Sequence, residues 1–507
     1  MKKVYFILVA VAVFAACKKN SQTGSSTSTT TLLNRMEDSI YNYSTEEYLW
    51  YDAIPSYATF NPYSTTVGAD DPTTLQNEVD KLSQYKINPA TGKPYEYSVN
   101  YPGEAKYSFI DGGQVATQLS GTHGDFGFSV FYNTYNDLRI KYVNPGSPAA
   151  TANLVRGYKV IAVNGNTNIA YNPNSSNPNN DPNLLFVVNA LSGSSITLLL
   201  QKPDNTQFTA TVAVANYTIN PVLKYTVLNL AGGKKLGYVV FSQFTSPTNA
   251  GSQLDAAFNS FISAGITDLC IDLRYNGGGY VATAEYIDNY IVPAAQTGTK
   301  MYTSVYNSKL QADNYPFLAQ KYQITPGYFN QANNTSYFAK KGTLALSRVF
   351  FIVTGSTASA SELTINNLIP EVNVQLIGTT SYGKPVGFFA IPVYTYNLYM
   401  PNFYTANSAG QGGYYAGMTP GSATYPGYYD YDDVTKDFGD PTEVLLSHAV
   451  SYVTKGSYTA VAAPRIQGLA IPAATFSDDV VRDMTTKLDP AAHFSEMVSS
   501  KKLLPKF

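Results

Sequence analysis

The sequence predicts an α/β multidomain protein, with an N-terminal helical domain, a β-rich domain and an α/β core on a largely parallel sheet. Three observations carry this expectation. Leu75, Val79 and Leu82 recur at helical spacing after the segment DDP. Further on, strand-like apolar runs are punctuated by turn signals such as VNG. From Leu236 apolar runs alternate with helical patterns, which requires crossover connections and therefore parallel strands.

The chain has 507 residues, enough for several domains with real cores. Its net charge of -2 argues against a nucleic-acid partner, which would call for a basic stripe. Charged residues make up 13% and aromatics 14%, with 43 tyrosines, which suits a folded chain with aromatic surfaces. The N-terminus begins MKK and continues VYFILVAVAVF, too short an apolar run for a stable bilayer span. It ends in FAAC, which resembles the lipobox of bacterial lipoproteins. A signal peptide over 1–16, a lipidated Cys17 and a flexible tether over 17–35 are expected, with an ordinary signal peptide as the alternative. That places the protein in the bacterial cell envelope, anchored by lipid at the periplasmic face or outer membrane. The other cysteine, Cys270, sits in ITDLCIDL and is expected to be a buried small hydrophobe.

The helical domain is assigned to 36–106. Next come GDFGFSVFYN and LRIKYVNPGSPAATANLVRGYKVIAVNG, which together resemble a PDZ domain over 107–217, with a polar insertion at 171–183. The resemblance implies that backbone N–H groups of Phe126, Gly127 and Phe128 capture a C-terminal carboxylate while the peptide adds as a strand. LLFVVNAL is then the groove-lining helix. The core is assigned to 218–460. The extension over 461–507 either packs as an appendage or enters the PDZ groove with the carboxylate of Phe507.

Within the core, LGYVVFSQF, ITDLCIDL, RVFFIVT and VNVQLIGT read as strands, and Leu254, Phe258, Phe261 and Ile262 mark one helix face. Ligands in such sheets gather outside the carboxyl ends of the strands. Three segments fall there: NGGG at 276–279, STASASE leading into a helix, and TTSYGKPVG at 379–387 with Lys384. A serine hydroxyl needs a base to become a nucleophile, and a lysine serves if burial lowers its pKa from about 10.4 toward about 7–8. That shift requires on the order of 4 kcal/mol of desolvation. Ala360, at the helix start, and a glycine of NGGG are candidate backbone donors to an oxyanion. Ser359-x-x-Glu362 is also a capping box, and by itself it reads as a helix start with no chemistry.

STASASEL, GTTSYGKPVG, DLRYNGGGYV and the PDZ-like segment, in this order, resemble the carboxyl-terminal processing (tail-specific) serine peptidases. The resemblance implies a crotonase-like or ClpP-like core, Ser359 as nucleophile, Lys384 as general base, and Ala360 with Gly278 as the oxyanion hole. It further implies hydrolysis, through an acyl-enzyme, of protein or peptide substrates recruited by exposed C-termini. One departure stands out: many members carry a glutamine four residues after the lysine, where this chain has Phe388. The alternatives are an impaired tail-binding lipoprotein on the same scaffold and a surface nutrient- or glycan-binding lipoprotein. No G-x-S-x-G elbow occurs to support a competing serine mechanism and no H-E-x-x-H zinc motif is present; no cofactor or metal is expected. The three histidines, His123, His448 and His493, read as structural or surface residues.

Overall fold

The computed structural model describes residues 26–171, 181–458, 487–489, 496–499 and 503–506. Cys17 and the leader, most of the 171–183 insertion, His493 and Phe507 lie outside the described residues.

The helical domain is built on Ser26–Glu47 and Asp71–Ser83. Asp70 caps the second helix by accepting from the Thr73 N–H at 3.0 Å, and Pro72 sits in the first turn, where its missing N–H costs nothing. Leu75, Val79 and Leu82 are fully buried, in one cluster with Met36 and Ile40 of the first helix. That first helix starts well inside the tether expected over 17–35. Its Ser/Thr-rich opening has low helix propensity, but propagation from a packed turn is far easier than nucleation.

The β-rich domain is a five-stranded antiparallel sheet in chain order: Phe128–Thr134, Asp137–Val143, Lys159–Val163, Ser195–Gln201 and Gln207–Ala213. Helix Pro182–Leu191, capped by Asp181, buries Leu184, Val187 and Leu191 against it. The VNG turn forms as expected, with Asn164 and Gly165 at φ 49° and 79°. Strand Phe128–Thr134 lies at the edge of the sheet.

The core sheet has six strands in the order Val222–Asn229, Lys235–Phe241, Asp268–Asp272, Arg348–Val353, Val374–Gly378 and Gly427–Tyr429. The first pair is antiparallel and the rest are parallel. Both faces are covered, so the strand interiors are mostly apolar and split by period two. Val239, Phe241, Leu269, Ile271, Val349, Phe351 and Val353 pack with helices Pro247–Ala264, Val281–Ile291 and Ala360–Leu368. Leu236, Tyr238, Val240, Cys270, Phe350 and Ile352 pack with helix Val444–Lys455. Cys270 is a buried free thiol, as expected.

A buried ion network joins the β-rich domain to this sheet. Arg274 follows strand Asp268–Asp272 and donates to Asp272 at 2.7–3.0 Å, to Glu443 at 2.7 and 3.1 Å, and to Asp432 at 2.6 Å. Arg156 of the β-rich domain donates to the same Asp432 at 3.1 Å. Burial alone would raise the Asp432 carboxyl, but the two guanidiniums and a hydrogen bond from Tyr275 outweigh it and hold it down at about 2. A carboxyl lowered on folding contributes stability above its unfolded pKa of about 3.9 and loses it as pH falls toward the folded value. Urea midpoints should therefore drop between about pH 4 and about pH 2, by on the order of 2 kcal/mol from this group. Asp432→Asn should be less stable at pH 7 and show a shallower fall; an unchanged pH profile in that variant would remove Asp432 as its source.

Candidate active site

Because Asp268–Asp272, Arg348–Val353 and Val374–Gly378 run parallel, the segments that follow them leave one edge of the sheet. Asn276 pins the first of these to the second. Its carbonyl accepts from the Ala358 N–H at 3.1 Å and from Ser361 Oγ at 3.0 Å, and its Nδ2 donates to the Phe241 carbonyl at 2.8 Å. Gly279 adopts φ 136°, and a Cβ there would fall 2.2 Å from the Phe244 carbonyl oxygen, so only glycine fits.

Ser359 opens helix Ala360–Leu368 with φ 62° and ψ −112°, a region that non-glycine residues rarely occupy. The predicted capping box is half formed. The Glu362 side chain returns to the Ser359 N–H at 2.9 Å, but Ser359 Oγ makes no hydrogen bond among the described residues. Ser359 is fully buried. Of the neighbouring serines, Ser361 ties two loops together through its bond to the Asn276 carbonyl, and the Ser356 N–H donates to Thr354 Oγ1 at 3.3 Å.

Glu362 is the centre of the arrangement. Its Oε2 accepts from the N–H of Ser359 at 2.9 Å and of Lys384 at 2.8 Å. Its Oε1 accepts from the Gly383 N–H at 2.7 Å and from Ser381 Oγ. The amide nitrogens of Ser359 and Lys384 thus lie within two hydrogen-bond lengths of each other. Burial pushes the Glu362 carboxyl up, and the four donors pull it back by favouring the ionised form. The lysine segment is also held by Tyr107, whose hydroxyl donates to the Gly383 carbonyl at 2.6 Å. Lys384 is 1% exposed, with Nζ 4.1 Å from the Phe388 ring centroid and 5.7 Å from that of Tyr107.

Of the two expected oxyanion donors, the Ala360 N–H makes no hydrogen bond among the described residues. The Gly278 N–H is engaged, donating to Asn276 Oδ1 at 2.9 Å. In the β-rich domain Phe126 and Phe128 are buried, and the Gly127 N–H donates to Asp125 Oδ1 at 2.7 Å, so the chain's own carboxylate sits on the expected carboxylate loop. His123 contacts Asp125 at 3.1 Å, and His448, buried on its helix, contacts Asp430 at 2.9 Å; both are remote in chain and partner from the Ser359 cluster. No group of residues suited to a metal ion occurs among the described residues. A cavity of about 1000 Å³ lies between Arg156, Phe208 and Phe438, away from this site. Sequence reading alone missed the bridge from Glu362 to Lys384 and the roles of Asn276 and Tyr107. The one available signal, Glu362 at the third helical position, was fully accounted for by capping.

Residues 235–410 match the family described as Peptidase family S41. Over that stretch the chain is similar to this peptidase family. The carboxyl-terminal-processing protease of Picosynechococcus sp. is 26% identical over 275 residues, covering 53% of this chain and 56% of that protein. The chloroplastic C-terminal processing peptidase of Tetradesmus obliquus is 28% identical over 189 residues, 34% of this chain and 38% of that protein. The chain thus spans about half, or less, of the length of the curated relatives it matches. A Bacteroides fragilis crystal structure assigned to the S41 proteases shares the fold, with a TM-score of 0.55, 23% identity, and coverage of 82% of this chain and 96% of that one.

Replacing Glu362 by glutamine keeps its shape but turns a donor toward N–H groups that need an acceptor, at about 1–3 kcal/mol for each left unsatisfied. A displacement of about 1 Å in a reacting pair costs roughly 100-fold. Glu362→Gln should slow labelling of Ser359 by a fluorophosphonate about that much while circular dichroism shows a folded chain. Labelling at the unaltered rate would exclude the positioning role.

Proposed function

We propose that the chain is a serine endopeptidase of the carboxyl-terminal processing kind, with Ser359 as nucleophile and Lys384 as general base. The observation that carries this reading is the single Glu362 oxygen that accepts from the amides of both residues, beside a serine in strained φ whose hydroxyl is unbonded. In the reaction, neutral Lys384 Nζ takes the proton as Ser359 Oγ attacks the scissile carbonyl. The oxyanion is received by the Ala360 N–H, at the positive end of its helix, and by a donor of the 276–279 segment. Lysine returns the proton to the leaving amine, and water, deprotonated in the same way, releases the acyl group from Ser359.

The β-rich domain is proposed to act as a PDZ-like recruiter of protein tails through the 126–128 loop, after Asp125 has yielded the Gly127 N–H. A lipid on Cys17 is proposed to hold the protein at the bacterial cell envelope. A second reading, a tail-binding scaffold without turnover, draws on Phe388. Its ring lies 4.1 Å from Lys384 Nζ, at the position where the family resemblance calls for a hydrogen-bonding glutamine.

Cleavage of an unfolded model protein separates the two. The wild type should cut, and Ser359→Ala and Lys384→Ala should each lose at least about 1000-fold in kcat/KM. Equal rates in all three would remove the dyad, and absent cleavage with retained peptide binding would support the scaffold. For the anchor, Cys17→Ala should shift the protein from the membrane to the soluble fraction; continued sedimentation with membranes would exclude lipidation as the attachment.

A further inference from the structure

The described parts of the C-terminal extension run past the site just assigned. Leu488 is buried in the core of the β-rich domain, and its carbonyl accepts from Ser129 Oγ at 3.2 Å, on the edge strand. Asp489 accepts from Lys141 Nζ at 3.0 Å and from Tyr142 Oη at 2.8 Å. Glu496–Val498 then forms a strand parallel to Gly278–Tyr280, in the register Gly278 with 496, Gly279 with Met497 and Tyr280 with Val498. On its other side the Phe388 N–H donates to the Met497 carbonyl, and the Ser499 N–H donates to the Phe388 carbonyl, both at 3.0 Å. Residues 503–506 end against Tyr322–Gln323. Of the described tail, an internal leucine and aspartate are what reach the β-rich domain.

We infer that the space between Gly278–Tyr280 and Phe388 is the site that receives a substrate as an extended strand, and that residues 496–499 of the chain's own tail occupy it at rest. The inference rests on the peptidase reading for the word substrate, but not for the strand site itself. Four observations point to it. The strand lies against helix Ala360–Leu368, which begins at the nucleophile. It is sandwiched between the glycine segment next to the oxyanion donors and the residue whose ring covers Lys384. Ser359, Lys384 and Glu362 are all shut from solvent. Finally, the pairing is short, three residues on one flank and two backbone bonds on the other, so an incoming strand can replace it bond for bond. Met497 is fully buried and Val498 nearly so, and at Gly387 a Cβ would come within 2.8 Å of the Met497 carbonyl oxygen. The site therefore takes an unfolded polypeptide with consecutive apolar residues at these two positions. The tail is an intramolecular competitor for it.

The full chain tests this with Met497→Glu, which places a charge in an apolar niche, and Ser499→Pro, which removes the N–H given to Phe388. Both should speed fluorophosphonate labelling of Ser359 at least about fivefold, the factor expected for one lost hydrogen bond. Both should also raise hydrogen exchange over 278–280 and 386–388. A synthetic peptide of residues 490–503 added to either variant should restore slow exchange and slow labelling. If Met497→Glu fails to fold, Ser499→Pro alone decides. Unchanged exchange and labelling in a folded variant would overturn the inference. Exchange needs no turnover, so a chain that never cleaves protein yet shows tail-dependent protection would sink the peptidase reading and leave the strand site standing.

Discussion

One buried carboxylate sets the geometry on which the site depends. Glu362 gathers donors from two segments that leave different strands, and it does so at the third position of a helix, where the macrodipole favours negative charge. All four partners are donors, so no neutral or donor-bearing side chain of similar shape can replace it. The same bonds hold Ser359 in its strained backbone conformation. An ordinary capping serine would give its hydroxyl to the helix; here the carboxylate serves the N-terminal amide, and the hydroxyl is left for other work.

A second network fixes the floor beneath these loops. Arg274 lies between the strand end Asp272 and the 276–279 segment, and its carbonyl accepts from Thr354 Oγ1 at the start of the loop that leads to Ser359. Through Asp432 it shares a counterion with Arg156 of the β-rich domain. Truncating one member of such a buried cluster leaves charges unmatched, typically at about 3–5 kcal/mol. Any rotation of the β-rich domain about this junction must therefore carry Arg156 with it or break its pairing with Asp432. That gives the β-rich domain a short physical route to the glycine segment, made of three side chains.

Much of this was legible in the sequence, for identifiable reasons. The core strands announce themselves because both faces are buried: Tyr238 and Val239 point to different clusters, yet both are apolar. That the Ser359 and Lys384 segments meet was readable because one crossover unit separates them, and a parallel sheet returns strand ends to the same edge. Glu362 hid behind a sufficient local explanation, since S-x-x-E satisfies helix capping without any reference to residue 384. The tail strand hid for a different reason. Three residues carry no periodicity, and their partner is a glycine segment with no side-chain pattern to match. The helix beginning at Ser26 was missed because cooperativity overrode local propensity.

Phe388 links the resting state to the chemistry. Its ring packs with Phe109, Tyr399 and Val498, and it faces Lys384 Nζ from 4.1 Å. A ring face at that distance attracts a cation. Val498 is one wall of the ring's niche and belongs to the tail strand, so withdrawing the tail removes that wall. A substrate that takes the tail's place makes the same two backbone bonds to Phe388 but brings its own side chain against the ring. The side chain presented at the Val498 position then controls how closely the ring stays over Lys384. The tail strand and the surroundings of Lys384 thus share one aromatic ring, at the position where a glutamine would have offered a hydrogen bond instead.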